Sequence, residues 1–265
     1  MQISLDGRMN ASGSVVALGM FDGVHIGHRV LLAKAKAAAV QAGVPMVVHT
    51  FAEHPLKRID PERVPPLLTT LTERIALIEA AGADIFSAVA FTDAMRDMPP
   101  EDFVGHLVQQ WKPRAVVVGF NYTFGRKGEG TPHLLHELGH ALGFQTYVVP
   151  AIQLDGRPVS ATIVRGYLMD GAPEQVRPLL GRAYSMRVTV QHNAAAQWLL
   201  PLDAEKLAMP VGCYRARLET QNANFPVVVR VYADGSMQCR STAPIALPGE
   251  AQVAFMTAWP RKAIA

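Results

Sequence analysis

The chain has 265 residues, 49% of them hydrophobic and 18% charged, with a formal net charge of +3 and nine histidines. That length calls for one large or two modest domains with ample core. So mild a positive balance, with no Lys/Arg run, suits an anionic small molecule and argues against nucleic acid as a partner. Cys213 and Cys239 make no disulfide framework and fit a reducing compartment. The opening residues, MQISLDGRMNASG, carry no secretion signal, and no apolar run reaches the length of a membrane span. A soluble, cytoplasmic protein is expected.

Through the first two-thirds, short apolar runs alternate with amphipathic stretches. VVALGM (15–20) reads as a buried strand, followed by the loop FDGVHIGH (21–28) and an Ala-rich helix over 29–43 that stops at Gly43. PMVVHTF (45–51) is the second strand. TTLTERIALIEAAG (69–82) sets Leu71, Ile75 and Ile78 at helical spacing, with Thr69, Thr70 or Thr72 as its cap and Gly82 as its stop. DIFSAVAF (84–91) is the third strand, and PPEDFVGHLVQQW (99–111) opens with Pro and acids as helix first turns do. RAVVVGF (114–120) and FQTYVVP (144–150) are strands four and five, with a helix over 132–143 between them. This alternation predicts an α/β fold, a doubly wound, Rossmann-like parallel sheet with helices on both faces. Ligands of such sheets sit at the carboxyl ends of strands, where FDGVHIGH and NYTFGRKGEG (121–130) both fall.

Two Pro/Gly-rich helical pieces between 160 and 182 lead to a different pattern. YSMRVTVQH, CYRARLET, FPVVVRVYADGSMQCR and AQVAFMTAW read as strands, and Ala233-Asp234-Gly235-Ser236 as a hairpin turn. The expected organisation is a nucleotide-handling domain over 1–185 and a small antiparallel β-barrel-like domain over 186–265.

Two stretches look like chemistry. In HIGH, Gly27 removes a side chain where a nucleotide approaches the backbone, and the helix that follows offers N–H groups and a positive dipole end to phosphate. His25 and His28 beside that end can donate to phosphoryl oxygens as charge builds. The second stretch, HELGHALGFQT, nearly completes the zinc-peptidase pattern with His136, Glu137, His140 and Gly143, but Thr146 stands where the third histidine belongs. Gly143 ends a helix and a buried strand starts at once, so these residues read as an ordinary crossover helix, and no metal-ligating set is expected from the protein.

GMFDGVHIGHRVLL, HTFAEHP, LTTLTERIALIEAAGAD, VVVGFNYTFGRKGEG and VSATIVR follow one another in an order that resembles the bacterial bifunctional riboflavin kinase/FAD synthetase family, over about residues 15–185. The resemblance implies an FMN adenylyltransferase: AMP passes from ATP to FMN, giving FAD and pyrophosphate, with Mg²⁺ arriving as the ATP complex. ATP and FMN are the implied partners; the oligomeric state is not legible. It implies catalytic roles for His25, His28, Asn121 and Arg165, and ATP contacts from Gly19, Phe21, Gly27, His28, Ser160, Thr162 and Arg165. Flavin or phosphate contacts fall to Phe51, His54, Asn121, Phe124 and Arg126, the last in a basic loop with Gly125 and Lys127. His49 reads as structural, and Asp22 as fixing the loop. Two departures from the family pattern are Ala161, where relatives have a second serine, and Glu53, where relatives have proline.

The tail departs further. After LLGRAYS the chain lacks the Gly-rich segment and the Pro-Thr-Ala-Asn motif that hold ATP in the family's kinase barrel, so a truncated, kinase-inactive barrel is expected. Transfer to another phosphorylated acceptor, and a non-catalytic flavin or nucleotide binder, remain the alternatives.

Overall fold

A computed structural model of the chain describes residues 1–6, 9–193, 196–220, 223–241 and 249–259. Chain contacts form two units, Met1–Pro65 with Leu71–Pro158, and Pro66–Thr70 with Val159–Ala265.

The first unit runs β1 (Gln2–Ser4), β2 (Ser14–Leu18), α1 (Ile26–Ala42), β3 (Met46–Phe51), α2 (Leu56–Ile59), α3 (Leu71–Ala80) and β4 (Ile85–Val89). It continues with α4 (Asp93–Arg96), α5 (Pro100–Trp111), β5 (Pro113–Gly119), α6 (Pro132–Leu142), β6 (Gln145–Val149) and a ribbon of β7 (Gln153–Leu154) and β8 (Arg157–Pro158). Six strands form one parallel sheet in the order β1-β4-β3-β2-β5-β6. Its strands are apolar without alternation because both faces are covered. Val15, Ala17, Met46, Val48, Ala115 and Val117 pack under α1 and α3, on Leu31, Leu32, Ala35 and Ile78. Their neighbours Val16, Leu18, Val47, Val116 and Val118 face α5 and α6, on Val104, Leu107, Trp111 and Leu135.

Five of these strands and their helices match the sequence reading closely. Strand β1 was not expected: it is three residues long and pairs with β4 through Gln2↔Ile85 to Ser4↔Ser87. Helix α1 begins at Ile26 and not at 29, which brings His28 into its first turn.

The second unit carries α7 (Ala161–Met169) and α8 (Pro173–Leu180), then β9 (Tyr184–Asn193), β10 (Ala196–Pro201), β11 (Gly212–Glu219), β12 (Asn224–Val231), β13 (Met237–Arg240) and β14 (Glu250–Ala258). The six strands close into an antiparallel barrel, β10-β13-β12-β11-β14-β9. Strand β10 was missing from the sequence reading, whereas the turn between β12 and β13 is as expected. There Gly235 takes φ 80, and Asp234 Oδ1 accepts from the Ser236 amide at 2.9 Å. Val188, Leu199, Tyr214, Leu218, Val229, Met237, Val253 and Phe255 are buried in this unit. No helix among the described residues is long and apolar enough to cross a membrane.

Candidate active site

Strand β2 lies between β3 and β5, so the chain leaves it toward one side of the sheet while β5 lies on the other. The loops after β2 and β5 therefore part at the carboxyl edge, the switch point where open α/β sheets bind ligands.

The loop after β2 is tightly wound. Phe21, Gly23 and Val24 take φ of 52, 76 and 39, left-handed values that cost a β-branched residue most. The fully buried Phe21 ring folds back on Gly19, where an added Cβ would stand 3.1 Å from it. His25 closes the loop in extended backbone and caps α1, its Nδ1 accepting from the His28 amide at 3.3 Å. Because Nδ1 accepts, the ring hydrogen belongs on Nε2. The His28 imidazole stacks on that of His25, with centroids 3.7 Å apart and planes 16° from parallel. Phe21 meets the His28 ring edge-on at 5.2 Å. His28 Nδ1 is buried without a hydrogen-bond partner, which a bare acceptor tolerates better than an N–H; its hydrogen too is assigned to Nε2.

Burial pushes the His25 pKa down to about 4, against the opposing field of Asp22. Burial, and then the adjacent His25, take His28 well below its ordinary value. Both rings are neutral at pH 7. They stand as hydrogen-bond donors at the N-terminus of a 17-residue helix, an arrangement suited to phosphate oxygens.

At the end of β3, Phe51 packs edge-on to Phe91 at 5.1 Å, and His54 Nδ1 accepts from the Leu56 amide at 3.1 Å as the chain turns into α2. Glu53 pairs with Lys57 at 3.2 Å, which offsets its charge. His49 is buried, bonded through Nδ1 to Ser87 Oγ at 3.1 Å and pushed by burial to a pKa of about 4. After β5, Asn121 is exposed at the turn. Phe124 is buried, between the rings of Phe103 and Tyr122, and an added Cβ at Gly130 would lie 2.6 Å from it. Arg126 is exposed and pairs with Glu129 at 3.4 Å.

Ser160, Thr162 and Arg165 belong to the second unit. Ser160 caps α7, its Oγ accepting from the Ile163 amide at 3.3 Å; Thr162 is exposed, and Arg165 Nε donates to the Pro66 carbonyl at 2.8 Å.

Arg74 was passed over in the sequence. Its guanidinium donates through Nη1 to the carbonyls of Met20, at 2.9 Å, and Phe51, at 3.2 Å, and through Nη2 to that of Ala52, at 2.7 Å. The available signal was its spacing: Arg74 shares the apolar stripe of Leu71, Ile75 and Ile78.

The zinc-like stretch is structural in its contacts. His133 pairs with Glu137 at 3.5 Å, Gly139 lies against Phe144, and Thr146 Oγ1 donates to the Leu135 carbonyl at 3.1 Å. Among the described residues, no group of three His, Cys, Asp or Glu side chains is arranged to hold a metal ion. His140 instead borders an open groove of about 550 Å³ with Gln41, Arg114, Gln145 and Tyr147. That groove lies at the amino ends of β2, β5 and β6, away from the histidine pair.

A family model described as FAD synthetase matches residues 7–163. The chain is 33% identical over 180 residues to the bifunctional riboflavin kinase/FMN adenylyltransferase of Listeria monocytogenes, covering 68% of this chain and 57% of that protein. The Bacillus subtilis protein of the same description is 31% identical over 181 residues, with the same coverage of 68% and 57%. The Pseudomonas fluorescens one is 30% identical over 233 residues, 86% of this chain and 71% of that protein. The chain thus spans little more than half the length of the first two. A crystal structure described as a macrolide-efflux protein from Streptococcus pneumoniae superposes with a TM-score of 0.85 at 23% identity, covering 97% of this chain and 90% of that one, a likeness of fold.

Proposed function

The chain belongs to the FAD synthetase family, and on that footing we propose that it is an FMN adenylyltransferase working in the cytoplasm. A phosphate oxygen of FMN attacks the α-phosphorus of ATP; the bond from that phosphorus to the bridging oxygen breaks, and pyrophosphate leaves. The nucleophile is already an anion, so no general base is needed, and the protein's contribution is positioning and charge stabilisation. The stacked, neutral pair His25–His28 at the head of α1 carries this reading. Two Nε2–H donors there stabilise charge that grows on the phosphoryl oxygens. Asn121, Phe51, His54 and Arg126 are proposed for the flavin side, and Gly19 and Gly27 for ATP, whereas the rings of Phe21 and Phe124 are buried and shape those loops from within the core. Ser160, Thr162 and Arg165 keep the nucleotide role that the family resemblance implies. Mg²⁺ is proposed to enter with ATP, held by phosphate oxygens and water, as this ion prefers.

The adenylyltransferase module is proposed to span residues 1–185, through α7 and α8, although chain contacts group those helices with the barrel. Because the barrel sequence lacks the kinase's Gly-rich segment and Pro-Thr-Ala-Asn motif, it is proposed to have no riboflavin kinase activity. The test is product analysis after incubation with FMN plus MgATP and, separately, riboflavin plus MgATP. FAD from FMN and nothing from riboflavin supports both parts. FMN formed from riboflavin overturns the second. No FAD in either tube overturns the first and favours a different phosphorylated acceptor or a nucleotide binder.

A further inference from the structure

Beyond Leu18↔His49 the paired strands β2 and β3 separate, and their loops carry the histidine pair on one side and Phe51–His54 on the other. Arg74 reaches between them from the first turn of α3 with only 2% of its surface exposed. A buried guanidinium is costly unless its donors are used, and this one spends Nη1 and Nη2 on three backbone carbonyls drawn from both segments. The Met20 carbonyl directly precedes the left-handed turn Phe21–Val24, whose strain persists only where neighbours over-determine it. Burial lowers the Arg74 pKa, and Asp22, buried in the same turn, opposes that shift with a field that favours the charged fork.

We propose that Arg74 is a positioning residue that ties the loop bearing His25 and His28 to the end of β3, holding the ATP-side and acceptor-side residues in one register for transfer. The proposal rests on the adenylyltransferase reading above. The planar fork matters as much as the charge, since the three rotatable donors of a lysine ammonium do not hold carbonyls in the fixed directions that a guanidinium imposes.

The test uses Arg74→Met and Arg74→Lys in the full chain, with two readouts. In FAD formation, Arg74→Met lowers kcat about a hundredfold while the KM for ATP and for FMN stays within about threefold, and Arg74→Lys recovers less than a tenth of the lost turnover. In NMR, the mutually shifted signals of the stacked His25 and His28 rings move toward free-histidine positions in both variants. Wild-type kcat within about twofold together with unmoved imidazole signals overturns the proposal. If Arg74→Met does not fold, Arg74→Lys decides by the same two criteria. If the wild-type protein makes no FAD, the function reading fails, and the imidazole signals alone decide whether Arg74 holds the loop.

Discussion

Lowering the pH from 7.5 to near 5 should destabilise the first unit. His25 and His49 each drop from an ordinary pKa of 6.5 to about 4 because burial disfavours the imidazolium. Between those values the unfolded chain binds more protons than the folded one, so stability falls as pH falls, beginning below 6.5 and levelling near 4. The full effect is about 3.4 kcal/mol per histidine, and half of it, roughly 1.7 kcal/mol each, is lost by about pH 5.25. The two together therefore cost about 3.4 kcal/mol at that pH, and His28, shifted the same way, adds to it. Asp84, whose burial is outweighed by the Met46 amide and Lys36, is held below 3.8, as are Asp93 and Asp97 through their arginine partners, so these three act below this window.

Of the three tryptophans, only Trp111 lies in the sheet unit. Urea unfolding followed by its fluorescence in a Trp198→Phe/Trp259→Phe background isolates the transition of that unit. His49→Asn should remove about 1.7 kcal/mol of the loss between pH 7.5 and about 5.25. Stability equal within about 1 kcal/mol at the two pH values would refute the claim that these rings are buried neutral.

His28→Ala should lower the kcat of FAD formation about a hundredfold or more, as loss of a transition-state donor does; a change confined to KM would reduce His28 to a binding role. Gly125→Ala should destabilise the first unit by more than about 2 kcal/mol in urea unfolding. Gly125 sits at φ 70 and ψ −175, and an added Cβ would stand 2.8 Å from the Pro100 backbone, which cannot swing aside. Ser160→Ala removes the cap of α7 and should cost about 1 kcal/mol by denaturant unfolding of the second unit, an effect Ser160→Asp should reverse.

Local signals made most of the sheet unit legible. Five continuous apolar runs, each separated by a helical stripe ending in Gly or opening with Pro, could only be a parallel sheet covered on both faces, because each strand must be apolar on both sides. HIGH between the first run and its helix likewise put the histidine pair at the carboxyl edge of the sheet, where the structure has it. What remained hidden depends on partners distant in the chain. Gln2–Ser4 is too short for a period and becomes a strand only by pairing with Ile85–Ser87. The stretch Ala196–Pro201 lacks alternation, and is a strand because β9 and β13 flank it in a closed barrel. The neutrality of His25 and His28 comes from burial, helped at His28 by the neighbouring His25. The role of Arg74 shows only where three carbonyls from two other segments converge on it. Short-range periodicity fixes which residues are strand, helix and loop; only the folded chain decides which edges pair and which polar groups lose water, because those outcomes depend on contacts between residues far apart in the sequence.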